Sequence, residues 1–170
     1  APENGGELEQ AIVQCLKDSP SGKDCSQGTI GSWDVSDVSD MSGMFRGATA
    51  FNQPLSSWDV SKVSDMSSMF RTSEQFNQDL SSWNTSKVTN MGFLFASAAK
   101  FNQPLSSWDV SKVTNMNAIF NGAQVFDQPL SWDVSNVQNM NSVFRTAKQF
   151  NQDLSSWDTS KVTNMGFMFA

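Results

Sequence analysis

The six tryptophans of this chain, Trp33, Trp58, Trp83, Trp108, Trp132 and Trp157, stand 25, 25, 25, 24 and 25 residues apart. Other columns keep the same step. Met41, Met66, Met91, Met116, Met140 and Met165 form one, and Phe45, Phe70, Phe95, Phe120, Phe144 and Phe169 another. Phe51, Phe76, Phe101, Phe126 and Phe150 form a third, each followed two residues later by Gln. The single short interval comes from a missing Ser, "PLSWDV" in place of "PLSSWDV". A unit of this length cannot bury its own apolar face, so it must stack on its neighbours to build a continuous core.

Within a unit, "SSWDV" alternates: Trp58 and Val60 point one way, Ser57 and Asp59 the other, which is the period of a short strand. "VSDMSSMF" then places Val63, Met66 and Phe70 at helical spacing, predicting a turn or two of helix. "RTSEQFNQDL" reads as loop, with Phe76 and Leu80 dipping into the core. The expected fold class is therefore a repeat solenoid, with one strand, one short helix or 3-10 turn and one loop per coil. Its strands pair in parallel at ~4.8 Å per coil. The Trp, Phe and Met columns become its core. The Asn and Gln after each loop Phe become side-chain ladders that satisfy backbone groups of neighbouring coils.

These residues carry a resemblance. "SWDVSxVxxMxxMFxxAxxFNQxL", from about Ile30 to the end, resembles the repeat of the BspA-like leucine-rich-repeat surface proteins. Departures are small: Thr85 and Thr159 for Val, Asn84 for Asp, Asp127 for Asn, and Leu94, Ile119 and Val143 for Met. The resemblance implies a leucine-rich-repeat-like solenoid, secreted or displayed at the cell surface, that works by adhesion or recognition. It carries no catalytic residues across.

The ends differ from the middle. Residues 1–29 do not repeat; "GELEQAIVQCLKD" puts Leu8, Ile12, Val13 and Leu16 on one helical face, and Pro20 and Gly22 break it. We read this segment as an amino-terminal helical cap over the solenoid of residues 30–170, about six units. Cys15 and Cys25 are the only cysteines. In an exported chain they read as a disulfide, and their spacing fits neither the usual zinc nor dithiol redox motifs. "TNMGFMFA" stops in mid-unit, with Met168 and Phe169 destined for a core without a next coil. The expectation is that the chain continues, or else that this end stacks on another molecule. The opening Ala1 is consistent with a removed leader or with a numbering boundary.

Composition narrows the function. With 11 Lys+Arg against 17 Asp+Glu, net charge −6 argues against nucleic acid or an anionic membrane as main partner. No stretch approaches the ~20 apolar residues of a membrane-spanning helix. There is no His, which removes imidazole catalysis and His metal sites. Ser-Lys pairs recur at Ser61-Lys62, Ser86-Lys87, Ser111-Lys112 and Ser160-Lys161, and a motif repeated so often is scaffold. No phosphate loop is present and no motif calls for a cofactor.

Two candidates remain. Asp34, Asp59, Asp109, Asp133 and Asp158 follow five of the tryptophans. They read first as turn-forming acids, with Ser two residues on and neighbouring Lys to neutralise them. A calcium site is the weak alternative, since no known calcium pattern is present. Asn84-Thr85-Ser86 is an N-glycosylation sequon. There is also a longer rhythm: "NTSKVTNMGFLFA" at Asn84 returns as "DTSKVTNMGFMFA" at Asp158, three units later, by duplication or for a partner that touches every third coil. The expected function is a non-enzymatic extracellular or cell-surface module for protein or glycan contact. Alternatives are a self-assembling fibre subunit and an ice- or crystal-face binder.

Overall fold

A computed structural model describes residues 5–170; the first four residues of the expected cap lie outside that range. Helix α1 spans Gly5–Asp18, and a single 3-10 turn follows at Ile30–Ser32. The repeats run as unit one (30–50), unit two (51–75), unit three (76–100), unit four (101–125), unit five (126–149) and unit six (150–170). Apart from that 3-10 turn at the start of unit one, the described units contain neither the helix nor the strand that the spacing predicts. Each unit is a succession of tight turns, joined to the next by one parallel bridge: Asp40 to Asp65, then Asn90, Asn115, Asn139 and Asn164.

The reason lies in the turns. In unit two, i→i+3 backbone bonds close Leu55–Trp58, Val60–Val63, Met66–Met69, Ser68–Arg71, Phe70–Ser73 and Ser73–Phe76. Apolar residues three apart at successive turn corners produce the same spacing as a helix face, which is why the pattern misleads. The turns at Met66 and Phe70 differ from helix at their third residues: Ser68 has φ 58° and Thr72 φ 59°. A positive φ at that position is the mark of a type II turn.

Every backbone N–H from Met66 to Ser73 is accounted for. Those of Met66, Ser68, Phe70 and Thr72 donate to the carbonyls of Asn90, Gly92, Leu94 and Ala96 in unit three. Those of Met69, Arg71 and Ser73 donate within their own turns, and that of Ser67 to the Asp65 carboxylate. Half of the donors thus point along the stack. This makes a ladder between units without any continuous strand, and the same bonds recur at every junction.

Inside, the columns align. Phe45, Phe70, Phe95, Phe120, Phe144 and Phe169 follow one another with ring centroids 5.5, 5.6, 5.8, 5.7 and 5.7 Å apart and planes within 12°. Near-parallel rings at that distance are offset, the arrangement that aromatic quadrupoles prefer, worth about 0.5–1.5 kcal/mol per pair beyond burial. Each but Phe169 also stacks on the loop Phe of the following turn, as Phe70 does on Phe76 at 4.0 Å. The tryptophans are all buried.

The missing Ser of unit five is absorbed at a surface corner. Every other Trp backbone N–H closes a turn onto the Leu or Ile three residues before it, but Trp132 has lost that bond. Its indole still reaches the Leu105 carbonyl at 2.9 Å, so the core column keeps register.

At the amino end, Leu8, Ile12 and Cys15 of α1 are buried in the core while Val13 is 44% exposed. The apolar face is therefore rotated from the expected Leu8–Ile12–Val13–Leu16 set, with Cys15 taking Val13's place; Leu16 is only partly buried. Cys15 is bonded to Cys25. The segment after the disulfide stands in for a preceding unit: the Gln27 carbonyl accepts the Trp33 indole. Gly22 lies so close over Phe51 that a Cβ there would meet the ring at 2.8 Å.

Candidate functional site

Most of the repeated polar chemistry is spent inside the stack. The Asn77 Oδ1 accepts the backbone N–H of Asn102 at 2.9 Å and the Gln103 side chain at 3.0 Å, both from the next unit. Asn52, Asn102 and Asp127 do the same for units three, five and six. The column needs an acceptor and makes no use of the Asn Nδ2, so Asp127 serves as well as Asn. Gln152 and the Asn151 N–H hold its carboxyl below the usual range. In the bridge column, Asn90 Nδ2 donates to Asp65 and Asn115 Nδ2 to Asn90, both at 2.9 Å. Buried polar groups are satisfied in this way.

The Asp column is a row of exposed turn acids. Asp34, Asp59, Asp109, Asp133 and Asp158 each accept the backbone N–H of the Ser two residues on, at 2.9–3.1 Å. Asp34 and Asp158 are held below the ordinary carboxylate range by the Ser36 and Ser160 N–H groups first and their hydroxyls second. For Asp59, Asp109 and Asp133 the hydroxyls of Ser61, Ser111 and Ser135 lead. Lys62 pairs with Asp37 of the preceding unit rather than with the column itself, and that bond raises its own pKa. Among the described residues no three acidic or Cys side chains gather as a metal ligand set. Asn84 is exposed and accepts the Ser86 N–H, while the intervening Thr85 is buried and donates its hydroxyl to the Asp109 carbonyl.

The turn face, which composition and motif do not single out, is where the units differ. At the first left-handed position stand Gly43, Ser68, Phe93, Ala118, Ser142 and Phe167. The glycines of that column and the next, Gly43, Gly47 and Gly122, were the available signal; the non-glycine residues elsewhere concealed it. Phe93 and Phe167 each carry a guanidinium over the ring. Arg71 of unit two lies 5.0 Å from the Phe93 centroid, and Arg145 of unit five lies 5.6 Å from that of Phe167. The three-unit rhythm of the sequence thus has a surface expression, two ring–guanidinium pairs on one face.

Two further features complete the surface. An open groove of about 420 Å³ runs between α1 and the turns of unit one, lined by Val13, Leu16, Lys17, Met44, Arg46 and Ala48. On the outer face of unit six, Met165, Phe167 and Phe169 are 40%, 68% and 65% exposed. Their N–H groups occupy the positions that in earlier units donate to the next unit, and they have no acceptor among the described residues. No helix of the described residues is long and apolar enough to cross a membrane.

Residues 16–131 and 105–170 match a family model described as "Mycoplasma protein of unknown function, DUF285". Neither a curated protein nor a solved structure matches the chain.

Proposed function

The chain belongs to the Mycoplasma protein family of unknown function, DUF285, and on that premise we propose that it is a non-enzymatic recognition module. It is a BspA-like, leucine-rich-repeat-like solenoid displayed outside the cell or secreted, which presents its turn face to a protein or glycan. One observation carries this reading. The repeated Asp, Asn, Gln and Trp groups are consumed by turns and ladders between units, whereas the first left-handed turn position changes from unit to unit, with Ser68, Phe93 and Phe167 reaching the surface and Ala118 and Ser142 buried. Such a division suits a scaffold whose surface is edited without touching its core. The Cys15–Cys25 disulfide fits an oxidising compartment. Protease treatment and surface labelling of intact cells making the native protein test the location: the reading expects accessibility, and a protein protected until lysis overturns it.

A further inference from the structure

We propose that the Arg71–Phe93 and Arg145–Phe167 pairs are two stations of one binding site for a linear acidic polysaccharide, each guanidinium taking one carboxylate. The inference rests on the recognition-module reading and names its ligand class.

The first ground is backbone strain without a packing reason. Phe93 has φ 59° and Phe167 φ 54°, a conformation that a bulky L residue adopts only at a cost of roughly 1–2 kcal/mol. Other units fill the position with Gly43, Ser68, Ala118 and Ser142, so the fold does not require a ring there. Nor does the ring fill the core, since Phe93, with units on both sides, is only half-buried. A three-unit duplication explains why the strain occurs twice, but not why it is carried at all. Ser68, Ala118 and Ser142 carry the same backbone in other units, so what sets the two stations apart is a bulky ring where a small side chain suffices.

The second ground is what the ring does. A guanidinium held over an aromatic face keeps its N–H fork available for bidentate pairing with a carboxylate. Neither Arg71 nor Arg145 has a carboxylate partner among the described residues. In both units that carry the Phe, the residue three further on is Ala (Ala96, Ala170), where units one, two and five have Arg. The stacked guanidinium therefore comes from the preceding unit alone.

Charge is the third ground. The turn face, 65–75, 90–100, 115–125, 139–149 and 164–170, holds Arg71, Lys100, Arg145 and Lys148 against Asp65 and Glu74, in a chain of net charge −6. The carboxylates of the bridge column give way to Asn from unit three onward, which leaves the second station without a bridge-column acid beside it, while Asp65 stays in the unit that supplies Arg71. Three units at the parallel-strand spacing separate the stations by about 14 Å. Amide side chains such as Asn117 and Asn141 lie between them, suited to hydroxyl groups. A nucleic acid would need bare ring faces for base stacking, and here the guanidinia occupy them. A protein partner would need an apolar anchor pocket, which the small residues Ala118 and Ser142 do not form.

Calorimetry with size-defined decagalacturonate, at low and physiological salt, tests the proposal. The unmodified chain is expected to bind, more weakly as salt rises, and to ignore neutral dextran. Arg71→Gln or Phe93→Gly is expected to weaken binding by roughly tenfold or more, because linked stations add avidity. Removing both stations (Arg71→Gln with Arg145→Gln) is expected to abolish it. Phe93→Gly relieves the backbone, so its loss of binding must come with an unchanged or higher melting temperature. Absence of binding, binding unaffected by the two-station variant, or equal binding of polyglutamate or single-stranded DNA would each overturn the proposal. Surface labelling of the same cells keeps the two readings apart: a displayed protein that ignores decagalacturonate sinks the ligand class alone.

Discussion

The indole N–H of Trp83 donates to the backbone carbonyl of Leu55, 28 residues earlier, at 3.0 Å. The same bond ties Trp58 to Ile30, Trp108 to Leu80, Trp132 to Leu105 and Trp157 to Leu130. Each tryptophan is therefore both filler and rivet, which explains why no other aromatic replaces it at any of the six positions.

Trp83→Phe removes the rivet and part of the filler. The Leu55 carbonyl keeps the Trp58 backbone N–H, so the loss is one hydrogen bond and a small cavity, about 1–3 kcal/mol. Urea denaturation at neutral pH measures it. An unchanged midpoint would mean that the indole bond contributes nothing.

The left-handed positions predict stabilising changes. Ser97 is exposed at φ 57°, and Ser97→Gly relieves strain of about 1 kcal/mol while loosening the unfolded chain by somewhat less. A small rise in midpoint is expected. Gly122→Ala does the reverse: φ is 73° and the new Cβ meets Ser97 Oγ at 3.1 Å, so the midpoint falls by an amount equivalent to about 1 kcal/mol or more.

How much of this was legible in the letters divides along a physical line. Periodicity located the columns, buried in units one to five though not at Met165 and Phe169, and the Asn–Gln ladder, because stacking forces the same side chain to the same place in every unit. It failed on the turns, because Met66, Met69 and Phe70 keep a helix-like spacing whether they sit on a helix or at consecutive type II corners. What decides between the two is the sign of φ at Ser68 and Thr72, and neither residue type declares it. Val13 failed for a related reason: amphipathic spacing allowed two rotations of α1, and the disulfide draws Cys15 inward. The Arg71–Phe93 pair joins residues of different units, so no motif within one unit could show it.

Acid should weaken the fold. Asp34, Asp59, Asp79, Asp109, Asp127, Asp133, Asp153 and Asp158 all have pKa values lowered by N–H, hydroxyl or amide donors. A lowered folded pKa stabilises above the unfolded value near 3.9 and is lost as pH falls through the folded value. Melting temperature is thus expected to be level from neutral pH to about 5 and to drop below about 4. Asp127→Asn keeps the acceptor and should blunt that drop, and an identical acid profile in this variant would contradict the assignment.

Removing the disulfide should act locally. Cys15→Ser with Cys25→Ser releases the cap, and in a stack of near-neighbour contacts the effect fades with distance. Hydrogen exchange is expected to quicken in α1 and unit one and to stay slow in units three to five. Uniform acceleration throughout would show that the units do not stand on their own neighbours.

The central claim is that successive units stack in register, one step per unit. Dipolar EPR between spin labels at position 62 and, in turn, positions 87, 112 and 161 measures it, each label on a cysteine replacing the lysine of the same exposed column. The account predicts backbone separations that grow by about 4.8 Å per unit, reaching roughly 19 Å at the last pair. Distances that do not increase in order with the number of intervening units would contradict it.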